Sequence, residues 1–210
     1  MGQIKCYPFF ESCLDCVFSE VRSVLAEKIK REASRLKAKF HTTDPFEICE
    51  ALNIRVMRCP MGTKEKSCKG FFIINARMKL ITINSDLPEH IQRIICAHEL
   101  GHAILHVETG LCAFHDFAVF DKNNMQEYEA NVFASEFLLT DEDVLEALDT
   151  TQEFFGLSSC LNVPPEMLDF KLRLMQKAGY KIKAPYIAKS DFLKRDIDQP
   201  LNYYGSCNCE

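Results

Sequence analysis

The pentapeptide His98-Glu99-Leu100-Gly101-His102 has its chemistry only on a helix. A spacing of four residues stacks the two imidazoles on one helical face, about a turn apart, where both can reach a single ion. The intervening glutamate then stands beside that ion. There it can take a proton from an activated water and later give one to a leaving amine. Ile94, Ile95, Cys96 and Ala97 precede the motif, and Ala103, Ile104 and Leu105 follow it. Apolar neighbours on both sides argue against the plain alternative, a solvent-facing helix carrying two surface histidines.

A catalytic zinc needs a third protein ligand and one open position. No third histidine follows at metzincin spacing, because the chain continues as Ala103-Ile-Leu-His106-Val-Glu-Thr-Gly110. His106 is four residues beyond His102, yet one straight helix cannot bend three successive turns around an ion, so His106 is expected to pack or to cap. The better donor is a carboxylate on a later helix, expected over Met125 to Leu139. Within it Glu127, Ala130, Asn131, Ala134 and Leu138 share a face by the i, i+3, i+4, i+7 rule. The small Ala130 and Ala134 would admit a second helix at close range. Glu129 should turn away, toward Val132, Phe133 and Glu136. Glu127 is therefore the expected third ligand. Asn131, one turn on, is expected to hydrogen-bond a ligand from outside. His115 and Tyr128 are the nearest candidates for an oxyanion donor, though both read better as structural residues.

Hydrophobic periodicity places a helix over Leu14 to Phe40, with Val17, Val21, Val24, Leu25, Ile29 and Leu36 near one face. Asp44, Pro45 and Glu47 predict a capped short helix ending near Asn53, with Glu47 closing a capping box. A strand should follow from Ile54 to Arg58. Phe71 to Ile74 and Leu80 to Ile83 are rich in β-formers and predict a hairpin. Ser85 or Asp86 is expected to cap the motif helix, which should run through His106. Thr140 and Asp143 predict a capping box for a third strong helix, and Leu157 to Met175 reads as two short helices turning at Asn162-Val163.

The charge balance, 25 Lys and Arg against 30 Asp and Glu, gives a net charge of -5 and no global sign of nucleic-acid binding. The basic run from Lys28 to Lys39 and the acidic run from Asp141 to Asp149 read as solvated helix faces. The first residues, Met1 to Cys13, lack a secretory pattern, and no apolar stretch is long enough to span a bilayer. They resemble a myristoylation signal only as far as Cys6, where Ser or Thr is expected. The expected location is the cytoplasm, with no membrane partner. There, most of the eleven cysteines should be free thiols. Cys13/Cys16 and Cys207/Cys209 could in principle form a four-thiolate site, but their separation and flanks argue against it.

The motif at 98–102, followed by Glu127-Tyr-Glu129-Ala130-Asn131-Val-Phe133-Ala134 and Leu138-Leu139, resembles the ImmA/IrrE family of bacterial metallopeptidases. The similarity extends through Asp44 to Ile54, Lys69-Gly70 and Ile81 to His102, and more weakly through Leu161 to Leu174. Thr140, where the family usually has proline, and the cysteine-bearing first twenty residues depart from it. The resemblance implies zinc on His98, His102 and Glu127, with Glu99 as general base. It implies an α+β fold, mainly helical and of the gluzincin type, with a small sheet or hairpin beside the motif helix. The expected organisation is an extension (1–19), a metallopeptidase domain (20–145), a helix-turn-helix-like segment (146–185) and a tail (186–210). The implied activity is site-specific cleavage of a helix-turn-helix repressor of the XRE type, as an anti-repressor of a mobile element, phage or stress response. Two other readings stand beside it. One is a DNA- or repressor-binding regulator with a non-catalytic zinc site, in which Lys171, Arg173 and Lys177 would meet phosphates. The other is a zinc hydrolase acting on a small molecule.

Overall fold

A computed structural model describes residues 9–64, 67–75, 78–106, 125–151 and 153–182, the side chains of 9–21 and 75 excepted. The first helix, α1 (Phe9–Phe40), is longer than its periodicity predicts. Ile29, Ala33 and Leu36 form its buried stripe, whereas Val24 is 66 % exposed and lies off it. In α2 (Pro45–Ala51) the Asp44 carboxylate accepts from Phe46 N at 3.0 Å, and proline occupies the first turn. Glu47 does not close the expected box. Thr42 intercepts both partners: its Oγ1 accepts the Asp44 N–H at 3.1 Å, and its hydroxyl donates to the Glu47 carboxylate. Asn53, at φ +56°, turns the chain out of the helix.

Three strands follow, β1 (Ile54–Cys59), β2 (Gly70–Asn75) and β3 (Met78–Asn84), in the order β1-β3-β2. β1 runs parallel to β3, and β2 and β3 form the expected antiparallel hairpin, with Gly70 opposite Ile83 and Phe72 opposite Ile81. Fully buried Asn84 ties the loop before β2 to the end of the sheet. Its amide donates to Gly62 O (2.7 Å) and Cys68 O (3.0 Å), and its carbonyl accepts from Met61 N and Asp86 N. Each polar atom of this buried side chain is thus satisfied, as burial requires.

The motif helix, α3 (Glu89–Leu105), starts later than expected. Pro88 is its N-cap, without a side-chain cap bond, and Asp86 instead accepts the N–H of Gly62 at 2.7 Å. Neither Ser85 nor Asp86 caps it. Then come α4 (Met125–Leu138), α5 (Asp141–Thr150), α6 (Phe154–Cys160) and α7 (Pro165–Lys177). The Thr140/Asp143 capping box forms as expected, and Asn162, at φ +52°, makes the turn before α7. α3 lies between the sheet on one side and α4 on the other, while α4 also packs on α1 and α7. Nearly every residue of α3 from Ile91 to Ala103 is therefore buried. The fold is α+β and mainly helical, with one small sheet beside the motif helix.

The α6–α7 pair packs against the core, and two of its basic residues are already engaged. Lys171 is fully buried, donates to Glu136 (2.8 Å) and forms an ion pair with Asp141 (2.7 Å), while Lys30 of α1 also binds Asp141. Arg173 pairs with Asp169 one turn back at 2.9 Å. Of the three cations expected to meet phosphates, only Lys177 is exposed. Five cysteines among the described residues, 49, 59, 68, 96 and 160, form no disulfide. The side chains of Cys13 and Cys16, and all of Cys207 and Cys209, lie outside the described residues.

Candidate metal centre

α3 presents His98 and His102 one turn apart, each 4 % exposed, with ring centroids 4.8 Å apart. Their Nε2 atoms stand 3.2 Å from each other. Glu127, from the first turn of α4, reaches across, with Oε2 3.5 Å from His98 Nε2 and Oε1 3.3 Å from His102 Nε2. Metal–ligand bonds of ~2.0–2.1 Å in a tetrahedron separate neighbouring donors by roughly 3.3–3.4 Å. The two imidazole nitrogens are thus about one tetrahedral edge apart, and each faces a different Glu127 oxygen at a similar separation. Two buried imidazoles and one half-buried carboxylate suit a divalent ion of intermediate softness. Among the described residues no other group of three His, Cys, Asp or Glu side chains converges in this way.

The helices can approach this closely because Gly101 lies between the two histidines. A Cβ there would sit 3.1 Å from Phe133 Cβ and 3.2 Å from Ala130 Cα, both on α4. Ala130 and Ala134 are fully buried on that side of α4, as the periodicity requires. A second close approach sets Glu99, which is 3 % exposed, against the sheet. A Cβ on Gly70 would stand 2.4 Å from Ile95 Cγ2 and 3.8 Å from Glu99 Cγ. Only glycine lets β2 begin so near the motif helix. Lys69 O accepts from Asn84 N at 2.9 Å, so strand alternation turns the amides and carbonyls of Gly70, Phe72 and Ile74 away from β3. Among the described residues β3 is the central strand, which leaves its hairpin partner β2 as an edge beside Glu99.

Asn131 is 6 % exposed, next to Ala130 on α4. Tyr128 faces elsewhere: its ring meets Phe170 of α7 edge-on and lies under the Arg22 guanidinium of α1. Burial pushes its phenol pKa up. His115 lies outside the described residues.

His106 is the C-cap of α3, as expected of a capping residue, but its ring also has two specific neighbours. Its Nδ1 is 3.1 Å from His102 Nδ1, and its Nε2 is 2.8 Å from Glu129 Oε2. The expectation that Glu129 turns away from the motif helix is therefore corrected. The backbone at His106 has left helical geometry (φ -120°, ψ 16°), so its ring is not confined to the face that carries His98 and His102. The helical wheel treats α3 as a cylinder and misses that reach. A third histidine at the same four-residue interval, opposite a Glu-x-Glu pair, was the available signal.

A family profile described as the IrrE N-terminal-like domain, a peptidase family, matches residues 49–173. That span runs from α2 into α7 and contains every residue of the centre. The chain is 33 % identical over 143 residues to "uncharacterized immunity region protein 2" of Bacillus phage phi105, covering 68 % of this chain and 88 % of that protein. It is 30 % identical over 146 residues to metallopeptidase ImmA of Bacillus subtilis (strain 168), covering 69 % and 83 % respectively. The chain belongs to the ImmA/IrrE family of metallopeptidases. A metallopeptidase needs a metal, and the His98/His102/Glu127 group is where this member of the family can hold one.

Proposed function

We propose that the chain is a zinc-dependent endopeptidase in which His98, His102 and Glu127 hold the ion and Glu99 is the general base. Its proposed substrate is a helix-turn-helix repressor of the XRE type, cut at one site so that repression of a phage, mobile element or stress response is lifted. The observation that carries the reading is the convergence of buried His98 and His102 with Glu127, with buried Glu99 on the helix of the two histidines. The phage relative's name, an immunity region protein, favours a regulatory substrate. A cytoplasmic location suits such a substrate. No helix among the described residues is long and apolar enough to cross a membrane.

Bound zinc supplies Lewis acidity, which lowers the pKa of a water toward neutrality and polarises a carbonyl. The chain's own residues do the rest. An extended segment of substrate pairs with the outward amides and carbonyls of Gly70 and Phe72, which brings its backbone past Glu99. Glu99 takes the water's proton as the scissile carbonyl is attacked and returns it to the departing nitrogen. Asn131, buried one turn from Glu127, hydrogen-bonds the ligand set from outside and holds its orientation.

A regulator with a non-catalytic zinc would have four protein ligands and no use for Glu99. The test is to incubate zinc-loaded protein with a candidate repressor, with and without chelator, beside Glu99→Gln. Single-site cleavage by the wild type is expected, lost with chelator and reduced ~10²–10⁴-fold in the variant while its zinc is retained. A repressor left intact by zinc-loaded wild type would overturn the substrate, and near-normal cleavage by Glu99→Gln would overturn the mechanism.

A further inference from the structure

We infer that His106 and Glu129 are positioning residues that lock His102 in one tautomer and one orientation. The inference rests on the proposal that His102 binds zinc through Nε2. Ligation through Nε2 uses that nitrogen's lone pair, so the ring proton must sit on Nδ1. His102 Nδ1 then has to donate, and His106 Nδ1 stands 3.1 Å from it, within hydrogen-bond range. To accept at Nδ1, His106 must carry its own proton on Nε2. That nitrogen meets Glu129 Oε2 at 2.8 Å, the length of a charge-assisted bond to an ionised carboxylate. His102 Nδ1 faces His106 Nδ1 and His106 Nε2 faces Glu129, so the assignment of one proton fixes the next.

Burial makes the order matter. The His102 side chain is 6 % exposed and that of His106 is 10 %, so bulk water is a poor substitute for a missing partner. Glu129 is only 20 % exposed and anchors the chain on α4, the helix that also supplies Glu127. Two residues of one turn of α4 thus serve the same ion, Glu127 directly and Glu129 through two imidazoles. Carboxylate–histidine–metal arrangements do this with a single ring, raising the ligand's basicity and fixing its rotation. Here a second ring extends the reach across the gap between the helices. Glu-x-Glu and His-x₃-His-x₃-His are, on this reading, one device split between two helices.

The experiment is a zinc titration against a chromophoric chelator for wild type, His106→Phe, His106→Asn, Glu129→Ala and Glu129→Gln, with thermal melts alongside. Phenylalanine keeps a ring of similar size but offers no acceptor, and asparagine places a carbonyl near the former Nδ1. Glutamine at 129 retains an acceptor for His106. His106→Phe and Glu129→Ala are expected to lose ~10–100-fold in affinity, with His106→Asn and Glu129→Gln regaining most of it. Nitrogen-15 spectra of zinc-loaded wild type should show His102 protonated on Nδ1 and His106 on Nε2, a readout that needs no variant. Wild-type affinity in His106→Phe, equal losses in His106→Phe and His106→Asn, or a His106 proton on Nδ1 would each overturn the inference. Failure of the wild type to bind zinc, or zinc retained without His102, overturns the ligand assignment itself and the relay with it.

Discussion

Replacing Gly101 by alanine puts one methyl group where α3 and α4 touch. The added carbon would lie 3.1 Å from Phe133 Cβ and 3.2 Å from Ala130 Cα, against an optimum near ~3.5–4.0 Å for carbon pairs. Neither neighbour is the end of a flexible side chain, so α4 itself must yield by roughly 0.3–0.5 Å. Overpacking of this kind costs about 1–3 kcal/mol. Alanine also gains ~0.8–1.0 kcal/mol of helix propensity over glycine. The net loss of stability is then between about 0 and 2 kcal/mol, or a melting point lower by at most ~8 °C for a chain of this size. The metal should suffer more. Glu127 rides on α4 one turn before Ala130, while both histidines ride on α3. Metal–ligand distances tolerate only about ±0.2 Å, so a shift of that size pulls Glu127 out of register with His98 and His102. Zinc competition and melting curves on the same samples are the assay. The expected result is a weakened zinc site in a protein that still folds. Undiminished zinc affinity together with a raised melting point would refute the claim that this helix contact sets the ligand spacing.

Lys171→Met removes the cation shared by buried Glu136 and Asp141, and breaking such a network costs ~3–5 kcal/mol in denaturant unfolding near neutral pH. Burial holds Glu136 above the usual carboxylate range even with Lys171 present. Burial would also raise Asp141, but its bonds to Lys171 and Lys30 outweigh that and hold it low. In the wild type, Asp141 therefore contributes stability above its unfolded pKa of 3.8, lost as pH falls through the lower folded value. Without Lys171 both folded values rise, so the penalty of the variant should shrink as pH falls from 8 toward 5; a loss below 1 kcal/mol at neutral pH, or one flat over that range, would count against the network. Cys96, hydrogen-bonded to Cys49 with the sulfurs 3.9 Å apart and buried, has its thiol pKa pushed well up. Iodoacetamide at pH 8 should label exposed Cys160 in the native protein and reach Cys96 only on unfolding, and equal labelling rates would contradict the packing.

Local chemistry was legible wherever the relevant partners are near in sequence. The Thr140/Asp143 box, the Asp44 cap and the hairpin all follow from residues within a few positions of one another. Where the expectation failed, a competitor outside the pattern was present: Thr42 took the bonds meant for the Asp44–Glu47 box, and Gly62 claimed Asp86. Lys171 read as part of a basic surface, because a cation's partners on other helices are invisible to a charge count.

The same division runs through the centre. Two imidazoles and a carboxylate at fixed intervals on one helix are set by a repeat of 3.6 residues, so His98, Glu99 and His102 needed no tertiary information. Glu127 was already favoured by the small residues beside it, since periodicity tells which face of α4 admits a neighbour. What periodicity cannot tell is how far a side chain reaches once two helices are packed. That required the contact at Gly101, the edge at Gly70 and the departure of His106 from helical geometry. Helix repeats are local properties of the backbone, whereas the gap between α3 and α4 depends on atoms some thirty residues apart in the chain. The sequence therefore determined which groups can bind a metal, and only the packed structure decided that Glu129 stands behind His102 as well.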